Sequence, residues 1–171
     1  MKLHLGCGKD YKIGYINCDF STKYKIDMKV NLEKPLPFED NSVEEIITNH
    51  TVEHIRNFVP LMEEIYRVCK HRARIKINVP YFAYPGAYQD PTHVRFFTLK
   101  TFNYFDKSSE YNYFSICNFR IVKKRLTFMS TRPKISKLFD WFINGVPNFY
   151  ERFLSRIIPA DNLYVELEVV K

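Results

Sequence analysis

The chain has 171 residues, of which 46% are hydrophobic and 16% aromatic, and a formal net charge of +7. This is enough apolar material for one filled core and too short a chain for two, which excludes a disordered polypeptide and a two-domain enzyme. No apolar run approaches the roughly 18 residues of a membrane span. Cys7, Cys18, Cys69 and Cys117 are spaced too widely for a CxxC pair or a disulfide framework, so buried free thiols in a reducing cytoplasm are expected.

The first expected strand, Leu3–Leu5, follows Met1 too closely for a signal peptide and ends in Gly6-Cys7-Gly8. Tyr15–Cys18 reads as a second strand closed by Asp19, and Met28–Val30 as a short third. Pro35-Leu36-Pro37 then bars both a helix and a central strand. Glu45–Asn49 has the compact apolar centre of a buried parallel strand. Ile55, Phe58, Met62, Ile65, Tyr66 and Cys69 recur at three- and four-residue steps, opposite Glu63, Glu64, Arg67 and Lys70. That spacing predicts an amphipathic helix, with Asn57 as its cap and Pro60 in its first turn.

Arg74–Val79 alternates as a fifth strand, and residues 81–97 form an irregular loop rich in Tyr, Phe and Pro. Thr98 is placed to cap a short helix reaching Phe105. A long strand is expected over Phe119–Met129, an amphipathic helical stretch over 134–158 broken at Gly145–Pro147, and a last strand over Leu163–Val170. The order predicts one α/β domain over 1–171, with a Rossmann-like, mostly parallel seven-stranded sheet whose last strand is antiparallel. Helices are expected on both faces, with the first N-terminal helix missing. Residues 1–80 form the cofactor half, 81–118 an acceptor loop with a short helix, and 131–160 a helical insertion between the last two strands.

Parallel sheets bind ligands beyond the carboxyl ends of their strands, and glycines there let backbone N–H groups approach a ligand. Gly6-Cys7-Gly8 alone is also compatible with a plain tight turn. Asp19 at the end of the second strand suits a ribose, whose hydroxyls can donate to a carboxylate; a turn residue or helix cap is the plainer alternative. Leu5-Gly6-Cys7-Gly8, Gly14 through Asp19, Asn31 through Phe38, Ser42 through Ile46 and Asn49 through Ile55 together resemble the class I S-adenosylmethionine-dependent methyltransferases. Asp90-Pro91-Thr92-His93 and Arg95-Phe96-Phe97-Thr98 bring the likeness nearest to methyltransferases of cell-surface polysaccharide pathways.

The resemblance implies S-adenosylmethionine as cofactor. Leu5, Gly6, Cys7 and Gly8 would line its methionine and ribose portion, and Asp19 would hold the ribose. Asn31 and Leu32 would meet the adenine edge, the Asn31 amide oxygen accepting from the exocyclic amine. Asn49 and His50 would sit near the sulfonium. The sequence departs from the family at His4, where a carboxylate is common, and at Asp10, where a third glycine is.

Methyl transfer needs an acceptor held in line and, for a hydroxyl, a base. His93, Asp90 and His50 are the catalytic candidates, with Asp90 orienting His93, while His54 seats the helix start. Arg95, Tyr81 and Tyr88 are candidates for binding a small or carbohydrate-like acceptor, and the net charge of +7 suits an anionic one. A metal site from His50, His54 and His93 is weighed and set aside, because His50 falls at a strand end and no Cys joins it; no metal is expected. The apolar stripe over 134–158 suits a lid, a homodimer surface, a lipid interface or packing on the sheet. The charge is not gathered into a nucleic-acid patch, so no stable nucleic acid partner is expected. A non-catalytic binding module with a degraded cofactor site, or an RNA methyltransferase, are the alternatives.

Overall fold

The computed structural model describes residues 1–128 and 133–171, with the side chains of residues 133–136 left aside. Seven strands form one sheet: β1 (Lys2–Leu5), β2 (Ile16–Asp19), β3 (Met28–Lys29), β4 (Val43–Asn49), β5 (Cys69–Pro80), β6 (Phe119–Thr127) and β7 (Asn162–Val169). Their order across the sheet is β3-β2-β1-β4-β5-β7-β6. Every pair from β3 to β5 is parallel, and only β7 runs against its two neighbours. This is the expected Rossmann-like architecture with a reversed last strand. Leu3, Leu5, Ile46, Ile75, Ile77, Val165 and Leu167 are buried along the central strands, as a sheet covered on its faces requires.

The main helix, α1 (Phe58–Val68), lays Phe58, Leu61, Met62, Ile65 and Val68 into the core. Burying each contributes about 1.5–3 kcal/mol. Asn57 does not cap it with its side chain. Instead Glu33, distant in sequence, accepts the N–H groups of Arg56 at 2.7 Å and Asn57 at 3.0 Å, placing a carboxylate at the helix's positive end. The helix also stops one residue earlier than its apolar spacing suggests. Cys69 is already extended and paired with Val43, so β5 begins there rather than at Arg74.

Arg67 fastens the Pro-Leu-Pro-Phe loop to α1. Its guanidinium donates to the carbonyls of Leu36 (2.9 Å) and Phe38 (3.0 Å) and pairs with Asp40 and Glu64. The aromatics of the second half divide: Phe97, Phe102 and Phe105 surround Phe58 edge-on and Tyr81 and Tyr150 are fully buried, while Tyr88, Tyr113, Phe114, Trp141, Phe149 and Phe153 are exposed. A one-turn helix, α2 (Gly86–Gln89), opens the loop after β5, and a 3-10 turn spans Thr101–Phe105.

The insertion carries α3 (Pro133–Gly145), which covers the edge strand β6. The Asn144 carboxamide bonds Leu126 through both its N–H and its C=O, each at 2.8 Å, and Asp140 accepts the Phe128 N–H at 2.7 Å. The C-terminal end of this edge is thereby closed to another strand. Leu138 and Trp141 point outward. β6 ends at Thr127, and Met129, to which the expected strand extended, lies outside the described residues. All four cysteines are buried and free, and burial pushes the Cys18, Cys69 and Cys117 thiols up to about 12. They are packing groups, not nucleophiles. Among the described residues no helix is long and apolar enough to cross a membrane.

Candidate functional site

A cavity of about 570 Å³ opens beyond the carboxyl ends of β3, β2, β1 and β4. Asp19, Phe20, Val30, Asn31 and Leu32 wall one side, Gly6 and Gly8 form its floor, and His50, Thr51, His54 and Ile55 wall the other. The sheet order dictates this arrangement: strands adjacent in space end side by side although β4 lies 24 residues after β2 in the chain.

The glycine turn is built differently from the expected donor cradle. The N–H groups of Gly6 (2.8 Å) and Cys7 (3.1 Å) both donate to the Cys18 carbonyl, and the Gly8 N–H donates to the Asp19 carboxylate at 2.8 Å. All three are spent inside the protein, so the turn presents glycine surface rather than free donors. Gly6 (φ +66°) and Gly8 (φ +49°) are left-handed, and an added Cβ at Gly8 would meet nothing within 4 Å: this is the open floor of the cavity. Leu5 and Cys7, expected as lining, point into the core below.

Asp19 also accepts the Ser21 N–H at 2.8 Å, so its two oxygens are oriented, each with a lone pair left for a ligand. Asn31 lines the cavity, but its Oδ1 already accepts the Glu33 N–H at 2.9 Å. One lone pair of that oxygen and the amide NH₂ are left for a ligand. Asn49 is not in this cavity. Strand alternation turns it into a separate depression with Asn78, Lys123 and Arg125, while its carbonyl accepts from the Thr51 hydroxyl at 3.0 Å.

His50, directly after β4, has φ +49°, a conformation costing about 1–3 kcal/mol for a non-glycine residue. It is held by its N–H to the Asn78 carbonyl (2.9 Å), and its Nε2 lies 3.3 Å from the Asn78 Nδ2. Val52–His54 form a 3-10 turn to which the acceptor loop is tied. The Val94 N–H donates to the Glu53 carbonyl at 3.0 Å, and His54 Nδ1 lies 2.8 Å from the Thr92 hydroxyl.

The Asp90 carbonyl accepts the His93 N–H at 3.1 Å, but the Asp90 carboxylate turns to Thr92 and not to the His93 ring. That carboxylate accepts from the Thr92 N–H (2.8 Å) and hydroxyl (2.6 Å), which hold it below the usual carboxylate range, and so Asp90 orients His54 through Thr92. His93 packs edge-on against His54, with ring centroids 4.7 Å apart, and its Nδ1 meets the Ala87 carbonyl at 2.8 Å.

Arg95 lies over the Phe58 ring and donates to the Arg56 carbonyl at 3.0 Å, so much of its guanidinium docks the loop rather than meeting substrate. Tyr81, expected to bind substrate, is fully buried and donates its hydroxyl to Glu151 at 3.0 Å. Tyr88 is exposed and stacked on Phe96. Thr51 and Phe20, which line the cavity, and the fully buried Glu53 were not among the expected site residues. The Glu53-His54-Ile55 run was the one signal that pointed to that turn.

Residues 3–77 match a family model described as a methyltransferase domain. The matched stretch, fewer than half of the 171 residues, makes the cofactor half of the chain similar to a methyltransferase domain. Solved structures share its fold. A methyltransferase from Mesorhizobium loti superposes with a TM-score of 0.62 at 12% identity, over 98% of this chain and 89% of the other. One from Archaeoglobus fulgidus gives 0.60 at 17% identity, over 98% and 85%. Phosphoethanolamine N-methyltransferase 2 of Haemonchus contortus, solved with S-adenosylmethionine, gives 0.59 at 14% identity, over 99% of this chain and 48% of that one. At these identities the likeness establishes the fold. No curated protein matches the chain in sequence. The cavity fits S-adenosylmethionine: it has an uncluttered Gly8 floor, an oriented carboxylate at Asp19 and the apolar walls of Val30 and Leu32.

Proposed function

We propose that the protein is an S-adenosylmethionine-dependent methyltransferase acting on a hydroxyl of a small, carbohydrate-type acceptor carried on a nucleotide or a lipid, as in the synthesis of cell-surface polysaccharide. The observation that carries this reading is the gathering of His54 and His93 where the Asp19 cavity ends on the β4 side. When bound, the cofactor supplies an electrophilic methyl group on a cationic sulfur.

In this assignment Asp19 accepts from the ribose hydroxyls with the lone pairs that Gly8 and Ser21 leave. The Asn31 carboxamide, Leu32 and Phe20 meet the adenine. His50 narrows the far wall. Acceptor chemistry falls to His93, whose bond to a carbonyl requires Nδ1–H and so leaves the Nε2 lone pair to take a hydroxyl proton. Asp90 acts at one remove, by holding Thr92 and through it His54. The outward-facing Leu138, Trp141, Phe149 and Phe153 are assigned to contact with the lipid carrier or a second copy.

The test has two arms. Asp19→Ala should weaken calorimetric binding of S-adenosylhomocysteine by about tenfold or more, as the loss of a charge-assisted hydrogen bond of about 1.5–3 kcal/mol requires. Incubation with labelled cofactor should then methylate hydroxylated sugars linked to nucleotides or polyprenyl carriers. Unchanged affinity in the variant overturns the ribose assignment, and labelling of RNA in preference to sugars overturns the acceptor class.

A further inference from the structure

We propose that Glu53, His54 and His93 form a binding site for a divalent transition-metal ion at the acceptor end of the cofactor cavity. The Glu53 side chain is 1% exposed, and neither carboxylate oxygen has a hydrogen-bond partner. The nearest cationic candidate is His50, whose Nδ1 lies 3.5 Å from Glu53 Oε1 without hydrogen-bond geometry. Buried carboxylates are paired or bind metals, and this one is paired with nothing adequate.

One ligand atom each from Glu53, His54 and His93 fall within 4.8 Å of one another. An ion bound at about 2.0–2.2 Å would draw them closer by a rotamer adjustment of each side chain.

The tautomers agree. Asp90 can only accept, so the Thr92 hydroxyl donates to it and accepts from His54 Nδ1–H. The Ala87 carbonyl likewise requires Nδ1–H on His93. Both rings therefore keep an Nε2 lone pair to give, each ring fixed from behind by an oxygen acceptor, as metal-bound imidazoles are. The Asp90–Thr92–His54 relay has this as its purpose, and it explains why the Asp90 carboxylate reaches His54 rather than the His93 ring.

Two imidazoles and one carboxylate favour manganese, iron, cobalt or zinc over magnesium or calcium, which prefer oxygen alone. Three protein ligands leave coordination positions open. An acceptor with two neighbouring oxygens, such as a vicinal diol or a hydroxy-carboxylate, would fill them, and the ion would ease loss of the hydroxyl proton. This role, unlike the site, rests on the methyl-transfer reading. The proton passes to solvent, the oxygen–methyl bond forms, and the sulfur–methyl bond breaks. In the ion-loaded protein His93 serves as ligand and no longer as base.

The full chain, stripped with chelator, is titrated with Mn²⁺, Zn²⁺ and Co²⁺ by calorimetry, and with Co²⁺ by visible absorption, alongside Glu53→Gln and His93→Gln. Stoichiometric binding is expected, weakened by about tenfold or more in each variant, with loss of the cobalt ligand-field bands. His93→Gln leaves the buried carboxylate in place and decides the matter if Glu53→Gln does not fold. Absence of binding by all three ions at millimolar concentration, or undiminished binding in the folded variants, overturns the site. S-adenosylhomocysteine titrated into the same stripped protein separates the readings. Cofactor binding without ion binding overturns the metal site alone. Ion binding without cofactor binding upholds the site and overturns its part in methyl transfer.

Discussion

Alanine at Gly6 and alanine at Gly8 should have different effects, although both glycines are left-handed. Each substitution incurs about 1–2 kcal/mol for placing a Cβ in that backbone conformation. At Gly8 nothing else is expected, because the new methyl enters open space. At Gly6 it would lie 2.2 Å from Thr51 Cγ2 and Oγ1 and 2.7 Å from Thr51 Cβ. Rotating the threonine cannot relieve a clash with its own Cβ, so the turn after β4 must move away from β1. Overpacking of this kind costs about 1–3 kcal/mol. Gly6→Ala should therefore lose roughly 2–5 kcal/mol in all and Gly8→Ala only the strain. For a chain of this size each kcal/mol corresponds to about 2–4 °C in melting temperature.

Urea unfolding followed by circular dichroism measures both losses. Adding Thr51→Gly to each background isolates the contact. In the Gly6→Ala background the pair should couple favourably by about 1 kcal/mol or more, well outside the roughly 0.3–0.5 kcal/mol scatter of independent sites. Equal losses for the two alanine variants, or additivity with Thr51→Gly, would refute the argument that β1 and the turn after β4 touch at this glycine.

His4 offers a pH test: burial lowers its imidazole pKa below 6.5, outweighing the opposing bond from Asn17. The unfolded chain then takes up more protons than the folded one just below pH 6.5, so stability is full above that value and falls as the pH drops beneath it. Unfolding midpoints measured from about pH 8 to about pH 5 should fall more steeply for the native protein than for His4→Gln, and parallel curves would count against it. Tyr81→Phe should lower stability by about 1.5–3 kcal/mol through the lost bond to the Glu151 carboxylate while leaving the KM for the acceptor unchanged; a raised KM would restore Tyr81 to the substrate site.

The strands were legible because each carries its own signal: a β-branched or apolar core bounded by Gly, Asp or Pro. The pairing of Gly6-Cys7-Gly8 with Asp19 was legible too, since both stand at strand ends. What the turn does with its N–H groups was not, because the Cys18 carbonyl that takes two of them is set by the register of β1 on β2. Asn49 was misplaced for a related reason: strand alternation sends its side chain to the opposite face from Thr48, and the left-handed His50 then redirects the chain. Glu33 as the cap of α1 and Glu53 as a buried carboxylate depend on contacts across 23 and 41 residues, to Arg56 and Val94, which local spacing cannot register. Tyr81 lies at the end of β5, where an aromatic reads equally as core or as pocket.

The short segment after β4 touches both halves of the site. On one side the Thr51 hydroxyl reaches the Gly6 carbonyl at 3.3 Å; on the other, Glu53 and His54 hold Val94 and Thr92 of the acceptor loop. Occupancy beside Gly6 and occupancy beside His93 therefore press on the same four residues, Thr51–His54. A ligand on one side that shifts this segment changes affinity on the other by a definite factor, and thermodynamic reciprocity makes that factor identical in both directions. The strength of that coupling can thus be read from equilibrium titrations alone, in either order of addition and without a turnover measurement.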